Sequence, residues 1–247
     1  MNGLEISNNA KLIAIGEDGI RTLSTIENIV KDNMEFEKIT INQDVDKDYV
    51  RNLLDGVDVL FLTYSTEDRR AKDIVKAIGY MAKERRVLGI GLNSSTKEDS
   101  DDLNIDREFK IGKENKEKIT SIINIMLESI SDFCMINIDI TDLKEVIGSG
   151  KGLKYSYEEF DSENTASEVA KVLVDNMSCE GSEFEEKKGI LFIDMDKNHC
   201  EENNMLIAVN TVITELHEKL DNSLELIFSL YIKENESSKA RIGLIHN

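Results

Sequence analysis

The first third of the chain alternates short apolar segments with amphipathic ones, and this alternation limits the folds it can adopt. The apolar segments are residues 11–15, 38–41, 57–62 and 86–92. The amphipathic segments between them, with apolar residues at helical spacing, are residues 20–30, 47–54 and 68–84. Strands that alternate with helices are typical of βα units around a parallel sheet. The sequence therefore predicts an α/β fold that begins with a Rossmann-like parallel sheet.

The rest of the chain predicts a central helix followed by a smaller α+β domain with a mixed sheet. Residues 113–133 carry apolar side chains on more than one helical face, which is typical of a largely buried helix. We expect later helices at 162–176, with Ser162 as N-cap, and at 203–220. The expected strands are 152–158, 188–194, 224–233 and 239–246. The last two are predicted to form a hairpin-like pair, and the helices to cover one face of the sheet.

This pattern predicts that the chain is divided into three parts. The predicted divisions are an N-terminal nucleotide-binding-type domain at 1–112, the central helix at 113–134 and a C-terminal domain at 135–247. Residues 93–106 are polar and strongly acidic, so we expect a surface loop there.

The charge and cysteine content exclude several classes of function. With 30 basic and 49 acidic residues the net charge is −19, which repels phosphate backbones and anionic lipid. We therefore expect no nucleic-acid partner, and no apolar run reaches the ~20 residues of a membrane span. The three cysteines, Cys134, Cys179 and Cys200, show no CxxC spacing. They predict no disulfide framework and no metal site, and they fit a reducing, cytoplasmic compartment.

The segment after the central helix carries the most specific pattern in the chain. Residues 136–147 contain Asn137, Asp139 and Asp142 in an Asn-x-Asp-x-x-Asp arrangement. This arrangement, after a long helix and before a strand–helix pair, resembles the FtsZ/tubulin superfamily. The resemblance implies that these three residues form a catalytic loop, which acts on the GTP of the neighbouring subunit in a filament. The partner that it implies is FtsZ or another FtsZ-like subunit, including a second copy of this chain.

The same resemblance assigns a remnant nucleotide site to the ends of the first strands. Gly16 and Gly19 follow the first strand, Asn42 follows the second and Thr63 follows the third. In the superfamily this region binds GTP, with Mg²⁺, through glycine-rich loops whose backbone approaches the phosphates. The cofactors that the resemblance implies, if this site functions, are therefore GTP and Mg²⁺.

This sequence departs from the superfamily where the phosphates would lie. The stretch 63–69 contains no glycine, and Glu67 and Asp68 would face the triphosphate. In the first loop, Glu17 and Asp18 stand between the two glycines. Two unit charges 4 Å apart interact by about 4 kcal/mol at an effective dielectric constant near 20, so each such carboxylate weakens phosphate binding strongly. We expect weak GTP binding or none.

Each of these features also has an ordinary structural explanation. Asp139 can be a helix N-cap after a strand, and Gly16, Gly19 and Asn42 can be turn residues of plain βα connections. Glycines at GxxG spacing are a weak indication of a phosphate site.

Three hypotheses follow. The first is a non-hydrolysing FtsZ relative, a pseudo-GTPase of cell division or cytoskeletal organisation that docks on another subunit and can cap a filament. The second is an active GTPase with an atypical phosphate loop, which would hydrolyse GTP. The third is a Rossmann-like module unrelated to filaments, with a small-molecule or protein ligand near Gly16, Asn42 and Thr63.

Overall fold

The computed structural model describes residues 10–30, 34–97, 101–131, 134–150, 152–185, 187–199, 204–220, 223–233 and 239–247. The chain divides into two compact units, Met1–Thr120 and Ser121–Asn247. The boundary falls within the helix Lys116–Ser129. Cys200 and the predicted helix ends at residues 133 and 203 lie outside the described residues.

Unit 1 is built on a five-stranded parallel sheet. Its strands are β1 (Ala10–Ile15), β2 (Glu35–Ile39), β3 (Val59–Tyr64), β4 (Leu88–Asn93) and β5 (Arg107–Lys110). They pair in the order β2-β1-β3-β4-β5, and every pair is parallel. Strands β3 and β4 are buried along their whole length, as expected for central strands covered on both faces. The Rossmann-like sheet that the sequence predicts is confirmed.

Three helices connect these strands. They are α1 (Gly16–Ile26), α2 (Lys47–Leu53) and α3 (Arg69–Glu84). Helix α3 is amphipathic, and its buried face includes Ile74, Val75 and Ile78, which belong to the apolar core of this unit. The helix ends where Arg86 adopts a left-handed conformation with φ of 60°.

The acidic segment before β5 is only partly the surface loop that the sequence predicts. Asn93 is the last residue of β4 and is fully buried, and Leu103 is buried in the apolar core. The Asp106 carboxylate accepts a hydrogen bond of 2.7 Å from the backbone N–H of Gly89 in β4. The prediction of a surface loop is therefore wrong at these positions, because the chain must return to the sheet to form β5.

Unit 2 contains a mixed five-stranded sheet. It begins within α4 (Lys116–Ser129) and continues with α5 (Ile140–Ile147), β6 (Leu153–Asp161), α6 (Ala166–Asp175), β7 (Ser178–Glu180), β8 (Lys188–Asp196), α7 (Met205–Lys219), β9 (Glu225–Lys233) and β10 (Lys239–His246). The strand order is β7-β6-β10-β8-β9, in which β8 and β9 are parallel and the other pairs antiparallel. This confirms the predicted mixed sheet.

Two details of unit 2 differ from the sequence-based expectations. Strands β9 and β10 do not form a hairpin, because β8 lies between them and pairs with both. The N-cap of α6 is Thr165 rather than Ser162, and it forms a capping box with Glu168.

Ile125 of α4 lies close to the sheet face opposite α6 and α7. A Cβ added at Gly243 of β10 would lie 3.3 Å from the Ile125 side chain.

Four charged side chains meet on the α4 side of this sheet. Glu128 of α4 and Asp194 of β8 are almost completely buried, and each lies beside two cations, Lys233 and Arg241. Lys233 Nζ is 2.7 Å from Glu128 Oε1. Two acids and two bases compensate one another, which is the condition under which charges can be buried.

Candidate functional site

The four residues that the sequence assigns to a nucleotide site belong to unit 1 and lie around the carboxyl ends of its strands. Gly16 directly follows β1, Asn42 lies in the turn after β2, and Thr63 is near the end of β3. In the sheet β1 lies between β2 and β3. The chain therefore adds β2 on one side of β1 and then adds β3 and the later strands on the other side, so the strand order reverses between β1 and β3. In open α/β sheets, ligands bind in the crevice outside the carboxyl ends of the strands at such a reversal.

The loops after β1 and β3 touch one another at Gly16. This residue has φ of +71°, in the left-handed region that favours glycine, and α1 begins at it. A Cβ added there would lie 3.2 Å from Cβ of Ala71 and 3.6 Å from Oδ2 of Asp68. The carboxylate of Asp68 is therefore a direct neighbour of the first βα turn.

Asp68 uses the same carboxylate to cap α3. Its Oδ1 accepts hydrogen bonds from the backbone N–H groups of Arg70, at 2.9 Å, and Ala71, at 3.0 Å. A helix N-terminus offers unpaired N–H donors and the positive end of the helix dipole to an anion. Here a side chain of the protein already supplies that anion.

Glu67 takes a different direction from its neighbour. Its Oε1 accepts hydrogen bonds from the hydroxyl of Thr96, at 2.8 Å, and from the backbone N–H of Thr96, at 2.9 Å. These bonds, the one from the hydroxyl first, lower the pKa of the exposed Glu67 carboxyl. Glu67 therefore ties the loop after β3 to the loop after β4.

A buried polar network, which the sequence analysis missed, extends this connection. Tyr64 and Asn93 are the last residues of β3 and β4, and both are fully buried. The Tyr64 hydroxyl donates to Glu108 of β5, and Asn93 Nδ2 donates to the same carboxylate at 3.2 Å. The hydroxyl of Thr66 donates to that of Ser95 at 2.9 Å. The signal in the sequence is a polar residue that ends an apolar strand segment, as Tyr64 and Asn93 do.

Gly19 and Thr63 hold α1 against β3. A Cβ at Gly19 would come within 2.2 Å of the Thr63 carbonyl oxygen, closer than atoms can approach. The Thr63 hydroxyl donates to the Gly19 carbonyl at 3.0 Å in a buried position. In this arrangement both residues serve helix–sheet packing, and their contact with a nucleotide stays a prediction.

Asn42, Glu17 and Asp18, which the sequence analysis also places at this edge, are exposed or partly exposed. Asn42 is exposed in its turn. Glu17 and Asp18, in the first turn of α1, form ion pairs of 3.1 and 2.9 Å with Arg21 one turn later. They lie near the positive end of the helix dipole, so these two acids stabilise the start of α1.

The second predicted site, the loop with Asn137, Asp139 and Asp142, belongs to unit 2. Asp139 is the N-cap of α5 and accepts a hydrogen bond of 2.6 Å from the backbone N–H of Thr141. This bond, followed by one from the Thr141 hydroxyl, lowers the pKa of Asp139. Asn137 and Asp139 are exposed, and Asp142 lies in the first turn of α5. Their role on a neighbouring subunit stays a prediction.

The backbone before these side chains is firmly anchored. Ile136 forms an antiparallel bridge with Leu230 of β9, and the N–H of Ile138 donates to the carbonyl of Ser129 at 3.0 Å. The thiol of Cys134 lies 3.0 Å from the carbonyl oxygen of Ile136, and burial raises its pKa. The main chain is therefore held in place on both sides of Asn137.

Neither a metal centre nor a membrane span is found in the described ranges. No three or more His, Cys, Asp or Glu side chains there are grouped so that they could hold a metal ion. None of the helices in that part of the chain combines the length and the apolar character that a bilayer crossing requires.

Comparison with solved structures identifies the architecture. The chain aligns with an empty FtsZ dimer from M. jannaschii over 96% of its own length and 87% of that chain, with a TM-score of 0.66 and 12% identity. Its fold is that of FtsZ. CetZ from Methanosaeta thermophila aligns over 97% of this chain and 86% of its own, with a TM-score of 0.61 and 10% identity.

A third similar structure is that of TubZ. It shows GDP-form protofilaments of TubZ from Bacillus thuringiensis serovar israelensis, and it aligns over 98% of this chain and 86% of that chain. The TM-score is 0.58 and the identity 11%. No protein-family model and no curated protein sequence matches the chain. The FtsZ/tubulin-like fold that the sequence resemblance implies is thus confirmed.

Proposed function

We propose that this protein is a non-hydrolysing relative of FtsZ that acts by protein docking in cytoskeletal organisation or cell division. The observation that carries the proposal is the position of Asp68. Its carboxylate caps the N-terminus of α3. The second carboxylate oxygen, Oδ2, would lie 3.6 Å from a Cβ added at Gly16, where the first and third βα loops meet. A phosphate group at this place would have to displace the carboxylate or lie beside it.

The energetic consequence is large for a nucleotide. Two like charges at 4 Å repel by about 1 kcal/mol in bulk water and about 4 kcal/mol near a protein surface. Each 1.4 kcal/mol is a tenfold loss of affinity. The phosphate would also lose the N–H groups of Arg70 and Ala71, which already donate to Asp68. Because TubZ forms GDP-form protofilaments, the fold itself is compatible with nucleotide.

The loop of unit 2 supports the docking half of the proposal. The side chains of Asn137 and Asp139 are exposed while their backbone is anchored to β9 and α4. A subunit that presents this loop, but carries no nucleotide of its own, can join the nucleotide-bearing end of an FtsZ filament. It offers no GTP to the next subunit, so it would cap the filament.

Calorimetric titration with GTP and Mg²⁺ tests the first half. We expect no binding heat at millimolar nucleotide, with an active FtsZ as the positive control. The variant Asp68→Ser keeps a helix-capping oxygen and removes the charge, so phosphate or GTP binding should become detectable or increase about tenfold. Tight binding by the wild type, with turnover that Asp139→Ala removes, would instead establish the active GTPase.

Sedimentation of FtsZ tests the second half. Addition of this protein should reduce the length or mass of the polymer. Asp142→Ala should weaken that effect, while Glu218→Ala, an exposed acid on α7, should leave it unchanged. Unchanged polymer at every concentration, together with absence of GTP binding, would favour the Rossmann-like module with an unrelated ligand.

A further inference from the structure

Strand β9 is the last strand of the mixed sheet of unit 2, so one of its sides has no neighbouring strand. The backbone N–H of Glu225 and the carbonyl of Lys233 bond to residues that flank β8. Leu230 uses its N–H and carbonyl on the other side, where they bond to the segment at Ile136. The backbone groups of a strand alternate in direction and the β8–β9 register is unbroken, so the even-numbered residues of β9 face outward.

Two of these outward-facing residues leave their backbone groups unbonded. The bridge between Ile136 and Leu230 occupies the outer side only towards the end of the strand. Within the described ranges, the N–H and carbonyl groups of Leu226 and Phe228 form no hydrogen bond on this side. Their side chains pack half-buried against the apolar core of unit 2, and Ile227 is half-buried on the opposite face. An open edge with apolar side chains is a template for a further strand.

The free edge of β9, residues 225–229, is complementary to itself. It extends from the first residue of the strand to the position before the bridge at Leu230. An antiparallel pair of two copies, with a twofold axis at Ile227, brings Leu226 opposite Phe228 of the second copy. These residues face outward, so each can exchange N–H and carbonyl bonds with the residue opposite.

The side chains suit the same pairing. Ile227 would contact its own counterpart at the axis, and apolar residues opposite one another stabilise a pair of strands. Glu225 would lie opposite Ser229 of the second copy, so the acids of the two strands do not oppose each other directly. The pairing therefore uses the whole free edge without a clash of like charges within it.

We propose that two copies of this chain pair antiparallel along the free edge of β9 and form a homodimer with a sheet continuous across both. The contact is isologous and closes after two copies, unlike the head-to-tail docking proposed above. So short a ladder makes a small interface, and interfaces below about 1,200 Å² are typical of weak, transient complexes. The net charge of −19 on each copy weakens it further at low salt.

Sedimentation velocity of the full chain, without FtsZ or nucleotide, tests for the dimer. Protein at about 10 µM to 1 mM is measured at about 0.15 M salt, where exposed charges more than about 8 Å apart are largely screened. We expect the mass to rise from one chain to two, with a dissociation constant on the order of 100 µM. A monomer at every concentration overturns the proposal. A mass that continues to rise beyond two chains indicates an open contact and overturns it as well.

Charge variants at the twofold axis locate the interface. Ile227→Lys and Ile227→Glu each place like charges opposite one another, so each should weaken the dimer at least tenfold. An equimolar mixture of the two variants brings opposite charges together and should restore the dimer. Ile207→Lys, the same change at an exposed isoleucine of α7, is the matched control and should leave it unchanged. Wild-type dimerisation by either Ile227 variant, or a mixture that stays monomeric, shows that the pairing at β9 is wrong.

A backbone variant tests the hydrogen bonds directly. Leu226→Pro removes an outward-facing N–H that the ladder with β8 does not use, and proline is tolerated at such edge positions. The dimer should weaken at least fivefold, since one bond is lost in each copy. Leu226→Ala shortens the same side chain but keeps the N–H, so it should dimerise more tightly than the proline variant. Equal dimerisation of the two, with circular dichroism showing both folded, overturns the backbone pairing. If the proline variant does not fold, the Ile227 variants decide.

Discussion

The two predicted sites differ in where their polar groups are satisfied. At the strand ends of unit 1, Asp68, Glu67 and Thr63 all bond to other parts of the same unit. In the loop of unit 2, the backbone around Ile136 and Ile138 is anchored and the Asp139 carboxylate caps α5, while the Asn137 side chain is exposed. An aspartate therefore caps a helix at both sites, but only the loop of unit 2 also presents an exposed amide on an anchored backbone. Such a loop can contact an outside partner, which favours docking.

The largest expected effect concerns the charge cluster that lies near the anchored loop. Asp194→Ala leaves Lys233 and Arg241 with only one buried acid, and we expect the free energy of unfolding to fall by about 3–5 kcal/mol. Denaturant unfolding measures it. The double variant Asp194→Leu/Arg241→Leu removes one acid and one base, keeps the Glu128–Lys233 pair and should be less destabilised than the single variant. A single-variant loss below 1 kcal/mol would contradict the account.

The next effect tests the close packing of unit 1. Gly19→Ala places a Cβ 2.2 Å from the Thr63 carbonyl oxygen, so α1 must move away from β3. We expect a loss of about 2–3 kcal/mol in unfolding free energy, as for an overpacked core. Gly112→Ala is the matched control, because its Cβ would meet only the Asn115 side chain, at 3.9 Å. Equal stability of the two variants would show that α1 can shift without cost.

A smaller effect concerns the cap of α3. Asp68→Ala removes the acceptor for the N–H groups of Arg70 and Ala71, and we expect a loss of about 1 kcal/mol in thermal or denaturant unfolding. Asp68→Ser retains an oxygen acceptor and should cost about half of that or less. If the serine variant were as unstable as the alanine variant, the carboxylate would act through its charge rather than as a cap.

The smallest effect is a pH dependence at the second site. Asp139 has a lowered pKa in the folded protein because it accepts hydrogen bonds from Thr141. The stabilisation it gives α5 is therefore fully present above its ordinary, unfolded pKa and is lost as the pH falls through the lower folded value. NMR titration of the Asp139 carboxyl should show this, and Thr141→Ala, which removes the hydroxyl, should raise the pKa part of the way to the ordinary value. An unshifted Asp139 would contradict the cap.

Local sequence patterns predicted much of the architecture. Apolar segments between amphipathic ones predicted the parallel sheet, because a strand buried on both faces needs apolar residues throughout. For Asp139 the sequence predicted two alternatives, a helix N-cap and a catalytic loop residue, and the structure shows the N-cap. The cap at Asp68 also had a signal, since an aspartate directly before an amphipathic helix is an N-cap signature. These features depend on neighbours along the chain, which the sequence records directly.

Other features depended on residues far apart in the chain. Strand β5, the place of β8 between β9 and β10, and the network that joins Tyr64, Asn93 and Glu108 were not predicted. Nor was the charge cluster of unit 2. Each requires side chains from three or more elements to meet, and no local pattern specifies which elements pair.

By itself the sequence determined most of the strands and helices, with β5 and β7 as exceptions, since hydrophobic periodicity and capping act over a few residues. Only the tertiary structure decided what the polar residues at the strand ends do. Asp68 is a carboxylate in either case, but its contact with both the N-terminus of α3 and the turn at Gly16 exists only once the sheet brings β1 and β3 together. Electrostatic and hydrogen-bond energies depend on those distances, and the distances are a property of the fold.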